Sequence, residues 1–467
     1  MSVVGRGLAV LLFAGGCASQ LSRPSVPYGG SSRHTQQLAA GLFAAASGAP
    51  GETAPAATGS MTMAEAYRLA LKVSDPVALA ELAIEGAAIN AHERNTDLYP
   101  NVSINGQGRI QSQSLLGVQP KRLIVGSLDV SQPLFRKGYF AARDAGRLEI
   151  ESARAAEGRS REQLARDVAV VFVNSVRARK LRDVAVGNVA RAKSTADRVT
   201  ASKKAGGALP SAEQLALLDL KRAERQAVDA QRDVALADAT FRRIVGVAPP
   251  AELELPATPE LPAEAAGLEL AKGRKDLKAL DLAVQQSRAN ESAVAGRRWW
   301  PRLDLSASAQ AGYALIDIPQ DMGGSVEVTN DNPVAWNVGA VISIPIYQKG
   351  VETVNVERAA NNTRIAQKTL ELQAKLATEE AQLAAARLSA ATRSVELAAQ
   401  QLKTAKEHFD LINRQFKLGA ITFLEVTNAQ SVIVEAENAN ESALMDRELA
   451  VYEYLFAIGA LDLKKAK

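Results

Sequence analysis

The chain has 467 residues with three His, one Cys and only 4% aromatics, so it is long enough for several domains yet poorly stocked for catalytic or metal chemistry. Hydrophobic residues reach 47% because Ala is abundant, and Ala with Leu, Glu, Lys, Arg and Gln is the mix of long, closely packed helices. A net charge of +4, with Lys and Arg interleaved among acids, leaves no basic block of the kind that binds nucleic acid.

At the N-terminus Arg6 precedes the apolar run Leu8 to Phe13, which leads into Ala14-Gly15-Gly16-Cys17. That order is a secretory signal over residues 1–17 with small residues at the cleavage site. The single cysteine stands where a bacterial lipoprotein signal places its acylated residue, so the segment resembles a lipobox with Cys17 as the acceptor. Ala14 departs from the Leu usual at that position, and an ordinary signal peptide cleaved nearby is the alternative. The apolar run is far shorter than the roughly 20 residues of a membrane-spanning helix. Residues 18–60 are rich in Ser, Gly, Pro, Ala and Thr without sustained periodicity, and read as a tether.

The rest of the chain repeats one plan, read as a first copy over 61–255 and a second over 256–467. Tyr99-Pro100-Asn101-Val102 is echoed by Trp300-Pro301-Arg302-Leu303, each closing a helical stretch and opening strict alternation. Gln132-Pro133-Leu134-Phe135-Arg136-Lys137-Gly138 returns as Ile344-Pro345-Ile346-Tyr347-Gln348-Lys349-Gly350, each opening a very long helix. Gly207-Ala208 pairs with Gly419-Ala420, and Phe241 to Gly246 with Tyr454 to Gly459. The order in each copy is helix, strand, strand, long helix, turn, helix.

The four strand segments alternate with period two: Val102, Ile104, Gly106, Gly108 and Ile110 stand against Ser103, Asn105, Gln107 and Arg109. A half-buried sheet in a soluble protein alternates in the same way. Two features favour a membrane strand. The runs span about ten residues, the length of a tilted strand crossing a bilayer. The scarce aromatics gather at the strand ends, at Tyr99, Phe135, Trp299, Trp300, Trp336 and Tyr347, as in an interfacial girdle. Four strands cannot close a conducting barrel, and an open edge in lipid leaves backbone groups unpaired, so a spanning chain must oligomerise.

From Val351 to Leu418 there is no Pro, and the segment can reach roughly 100 Å as a helix. Leu388, Val395, Leu402, Phe409 and Phe416 recur every seven residues, with Ala391, Ala398, Ala405 and Ile412 three further on, a coiled-coil seam of large against small. The first copy does likewise between about Tyr139 and Lys204, and return helices follow over Ser211–Val245 and Thr422–Ile458. Without the strands a soluble coiled coil is the simpler reading.

These landmarks, from Met63 onward, resemble the TolC-like outer-membrane efflux proteins. The resemblance is carried by Ala64-Glu65-Ala66-Tyr67-Arg68-Leu69-Ala70 with Asp75-Pro76, by Leu98-Tyr99-Pro100, and by Arg414-Gln415-Phe416-Lys417-Leu418-Gly419-Ala420 followed by Ala429-Gln430. It implies a mainly α fold with transmembrane β: a trimer in which each chain gives four strands to a twelve-stranded barrel, continued by a long periplasmic helical barrel. It implies a passive outer-membrane channel subunit of a tripartite efflux or type I secretion system, with no catalytic residue, metal or cofactor, and the lipid anchor rests on Cys17. Its partners would be two further copies, a periplasmic adaptor, an inner-membrane transporter of the resistance-nodulation-division or a similar class, and outer-membrane lipid. The family's gate acids fall on Glu425 and Asn428, with Glu213 and Ala216 as first-copy counterparts. A ring of such carboxylates favours cations; acids in a first helical turn also simply suit the helix dipole. The turns carrying Gly207, Ala208, Leu209, Leu418, Gly419, Ala420 and Ile421 are the family's adaptor-docking tips. The alternative function is a periplasmic adaptor with a coiled-coil hairpin, which would lack the duplicated strand pairs.

Overall fold

The computed structural model describes residues 59–110, 120–207, 209–257, 259, 261–298, 300–317, 325–328, 334–344, 346, 349–418 and 420–463. Cys17, nearly all of the tether, Ala208, Trp299, Tyr347 and Gly419 lie outside them. A short strand β1 (Ser60–Thr62) leads into helices α1 (Met63–Val73) and α2 (Asp75–Thr96), strands β2 (Asn101–Ile110) and β3 (Pro120–Phe135), and the helical hairpin α3 (Tyr139–Lys204) and α4 (Pro210–Val245). The order then recurs: β4 (Glu252–Glu254), α5 (Glu264–Lys272), α6 (Lys275–Arg298), β5 (Arg302–Asp317), β6 (Ser325–Val328), β7 (Val334–Ser343), α7 (Val351–Lys417) and α8 (Phe423–Ala457). β1 and β4 pair in parallel, Ser60 with Glu252 through Thr62 with Glu254, joining the starts of the two halves.

The long strands form one antiparallel sheet in the order β2, β3, β5, with β7 and the short β6 both on the far side of β5. β7 pairs with Arg302–Ala311 and β6 with Ala314–Asp317, so the two occupy one side of β5 in succession. Four ribbons therefore stand across the sheet, as the alternation implies, but β3 and β5 run to 16 residues each. Register keeps one face apolar or small, with Val102 opposite Val130, Ile104 opposite Leu128, Ala307 opposite Val338 and Leu303 opposite Ile342. Nothing among the described residues covers that face: Ile104 is 83% exposed and Ile342 69%. The other face carries Ser103 opposite Asp129 and Ser127 opposite Gln310, and Asp129 accepts hydrogen bonds from Ser127 and Asn105 at 2.7 and 2.8 Å. The outer edges of β2 and of β6 and β7 have no strand partner among the described residues.

All four joins between sheet and long helices lie at one end of the sheet. There Gly138 lets β3 turn into α3 tightly against α6, since a Cβ at Gly138 would stand 2.4 Å from the Ala293 carbonyl oxygen.

The main core lies midway along the helices, where α1, α3, α4, α7 and α8 converge. Phe172 and Phe241 are fully buried with ring centroids 6.2 Å apart, surrounded by Met63, Val168, Val245, Val451 and Ile458. At α7 the seam is the buried stripe: Ala384, Ala398 and Ala405 are buried, and Leu388, Leu402 and Phe409 pack against the cores beside them. Alanine at every other seam position lets α8 approach closely. A second stripe with the same heptad spacing faces away from the chain, with Leu383, Leu397, Leu411 and Leu418 at 53, 65, 49 and 83% exposure. Among the described residues no helix is long and apolar enough to cross a membrane.

Candidate functional site

Each long hairpin reverses at a tip remote from the sheet. In the first, the backbone N–H groups of Gly206 and Gly207 donate to the carbonyls of Lys203 and Ser202, both at 2.9 Å, which closes the end of α3. Gly206 takes φ +78°, so the left-handed position falls on Gly206 and not on Gly207. Leu209 is the N-cap of α4, followed by Pro210, which has no N–H to satisfy. Its side chain caps nothing and is 71% exposed. Leucine is a poor cap, and a polar residue here would stabilise the helix start by about 1 kcal/mol.

The second tip is built differently. Ala420 N–H donates to the Gln415 carbonyl at 3.0 Å, and Leu418 is 83% exposed. Thr422 is the N-cap of α8, and its N–H donates to Glu425 Oε2 at 2.9 Å. Glu425 is thus the returning acid of a Thr-Phe-Leu-Glu capping box, the same device as Thr62 with Glu65 at the start of α1. The Thr-x-x-Glu spacing that marks it is legible in the sequence. Glu425 and Asn428 are both exposed.

The helix starts correct the correspondence between the tips. Counted from the N-cap, Glu425 is the third helical residue and Glu213 the fourth, so the counterpart of Glu425 is Ala212 and that of Asn428 is Leu215. Ala216 matches Ala429 instead, and both are 2% exposed. Glu213 is bonded back across its turn to Lys203. That hydrogen bond holds its carboxyl below the usual carboxylate range, outweighing a weak upward push from desolvation.

The two tips pack on one another through Ala196, Val199 and Ala216 with Phe416 and Phe423, whose ring centroids are 6.4 Å apart. Above them Gln430 Nε2 donates to Asn188 Oδ1 at 3.1 Å, and Arg191 grips Glu437 with two bonds of 3.2 and 2.7 Å. These pairs tie α3 to α8, so the second hairpin moves against the first only by breaking them.

Of the girdle candidates, Tyr99, Phe135 and Trp300 stand at the helix–sheet join with 56, 38 and 48% exposure. Trp336 lies higher, opposite Ala309 and midway along β5, on the apolar face with 77% exposure.

Sequence reasoning missed a charge cluster in the core. Arg274, 3% exposed, bonds Asp276 at 2.7 and 3.1 Å, Glu380 at 2.7 Å and the Ala457 carbonyl at 3.3 Å. Arg159 stands 3.8 Å from Asp276 and bonds Glu162 at 3.0 Å, while Lys275 reaches Glu162 at 3.0 Å. Burial pushes the Asp276 carboxyl up, but the bonds from Arg274 overcome it and hold the group below its ordinary value. Among the described residues no three His, Cys, Asp or Glu side chains gather as metal ligands.

Residues 268–459 match the family described as outer membrane efflux protein. No curated sequence relative matches the chain. Among solved structures, CusC superposes with a TM-score of 0.74 at 17% identity, covering 85% of this chain and 92% of that one. VceC from Vibrio cholerae gives 0.71 at 15% identity, covering 85% and 96%. The open state of the MtrE outer membrane channel of Neisseria gonorrhoeae gives 0.70 at 20% identity, covering 85% and 88%. At these identities the likeness establishes the fold.

Proposed function

We infer, from the match of residues 268–459 to the outer membrane efflux protein family and from the fold, that the chain is one of three identical staves of a duct that carries solutes passively through the bacterial outer membrane. The family match and the fold support the efflux-channel role over the adaptor reading. The trimer is supported by one observation above all. A sheet of four ribbons with one apolar face, one polar face and two edges unpaired among the described residues is complete only when further copies pair with those edges. The uncovered heptad stripe of α7 supplies the matching contact between helical segments.

At the far end the proposed aperture is ringed by Glu425 and Asn428, with Glu213 contributing an acid already neutralised by Lys203. Glu425 then carries most of the negative charge at the constriction. The tips, with exposed Leu209 and Leu418, dock a periplasmic adaptor through these residues and their sequence neighbours Gly207, Ala208, Gly419, Ala420 and Ile421. A leucine at an N-cap, against helix stability, and 71% exposed supports a binding role for Leu209. An inner-membrane transporter of the resistance-nodulation-division or a similar class drives the assembly, and acylated Cys17 anchors each stave to lipid.

The test is to count subunits in the purified full chain by native mass spectrometry and to compare wild type with Glu425→Gln in planar bilayers. Three subunits and a lower cation-to-anion permeability ratio in the variant are expected. A monomer, or a ratio that Glu425→Gln leaves untouched, would sink the trimer or the gate assignment respectively.

A further inference from the structure

The polar face of the sheet ends in an unbalanced set of cations. Arg302 is the first residue of β5 and Asp304 the third, so both stand on the polar face while Leu303 and Leu305 take the apolar one. Arg302 also lines a groove of about 440 Å³ between the end of α6 and the start of α7, shared with Arg297, Arg358, Asn290, Asn355 and Asn362. The groove therefore opens on the side of the polar face. Its one acid is Glu352. A smaller recess of about 160 Å³ beside it adds Arg136, Lys137 and Asp97. Together the two recesses hold five cations against two acids.

These cations are unequally paired. Two of the five have partners: Arg297 bonds Asp97 at 3.4 Å, and the Lys137 ammonium lies 4.5 Å from the centre of the Trp300 ring. At the join, Arg302 and Arg358 share one groove with no hydrogen bond or ion pair among the described residues. Arg136 reaches Asp304 only at 3.8 Å, and its Nε is buried without a partner. Guanidinium groups left unpaired side by side repel, and an oxyanion between them reverses that repulsion with forked hydrogen bonds. The three asparagines supply further donors along the same wall.

We propose that this groove is an oxyanion-binding collar of the duct, which takes the carboxylate or phosphate of a solute passing from the helical tunnel into the barrel. The proposal rests on the duct reading, in which the polar face is the water-filled inside. Its position on that face, away from the exposed Ile104 and Ile342, favours a solute over a lipid headgroup. Three copies would set three such grooves around the throat, above a gate of opposite sign.

The test uses the full chain, purified free of phospholipid, with inorganic pyrophosphate titrated in by calorimetry. A second arm records the chloride-to-potassium permeability ratio in planar bilayers of uncharged lipid. The double variant Arg302→Gln/Arg358→Gln should weaken pyrophosphate binding at least tenfold and lower the ratio at least twofold, whereas Arg302→Lys/Arg358→Lys keeps the ratio. Wild-type protein that binds no pyrophosphate, or a Gln variant that keeps both properties, overturns the collar. So does phosphatidylglycerol that copurifies with wild type and is lost from the variant while pyrophosphate binding stays, since that marks a headgroup site. Absence of any current from wild type would overturn the duct reading and the collar with it. Normal current with an unchanged ratio removes the collar alone.

Discussion

Arg274→Met removes the centre of the buried charge cluster while keeping a side chain of similar length. Arg274 is 3% exposed, and its loss strands Asp276, whose side chain is 23% exposed and whose next cation, Arg159, is 3.8 Å away. Breaking one partner of a buried pair costs about 3–5 kcal/mol. Glu380, 53% exposed, adds little because water screens it. The cost should appear as local opening, with amide protection across α5 and the start of α6 falling by roughly 100-fold to several thousand-fold. The pH dependence follows from the sign of the shift. In wild type the Asp276 carboxyl lies below its ordinary value, so its contribution is present above the unfolded value and is lost as pH falls through the folded one. In the variant the contacts from Arg274 are gone, and burial, the largest influence, is opposed only by Arg159 and the Leu277 N–H, so the penalty stands near neutrality and fades as pH falls. The gap between the two proteins should narrow from pH 7 toward pH 4, and adding Asp276→Asn should close most of it at pH 7. Hydrogen exchange read by mass spectrometry, expressed as protection factors at each pH, makes the comparison. A fall below tenfold, an equal gap at both pH values, or no rescue by Asn would refute the reasoning.

Phe172→Ala should cost about 3–5 kcal/mol, because the ring is fully buried against Phe241; denaturant unfolding of the helical body checks this, and a loss under about 1 kcal/mol would place the core elsewhere. Leu209→Ser should firm the start of α4 by roughly 0.5–1 kcal/mol in hydrogen exchange while weakening adaptor capture several-fold; a variant that docks as well as wild type removes Leu209 from the contact. Gly206→Ala forces a Cβ into φ +78° and should destabilise the first tip by about 1–2 kcal/mol, seen as faster proteolysis at residues 204–209; unchanged cleavage would contradict the turn geometry.

Most of the architecture was legible because its signals are periodic. The heptad run from Leu388 to Phe416 predicts which side of α7 is buried, and period-two alternation from Val102 predicts the two faces of the sheet. Single positions next to turns were less legible. Gly206 and Gly207 stand side by side, and only the backbone shows which is left-handed; pairing Gly207 with Gly419 leaves Glu213, counted from its N-cap, one residue out of step with Glu425. The cluster around Arg274 was invisible for another reason. Its partners Glu380 and Ala457 come from helices more than 100 residues away, and no local spacing announces them. The splitting of one ribbon into β6 and β7 likewise depends on where each meets β5.

The duct is tested most directly by recording current through the purified chain in planar bilayers while one strand is altered on either face. Val338 lies on the apolar face of β7 with 63% exposure, and Asn337 beside it lies on the polar face. Val338→Arg places a cation against lipid at a cost of about 2–4 kcal/mol near the midplane and should abolish insertion and current, whereas Asn337→Arg should leave discrete conductance steps in place. Wild type without current, or current lost with Asn337→Arg and kept with Val338→Arg, would contradict the account.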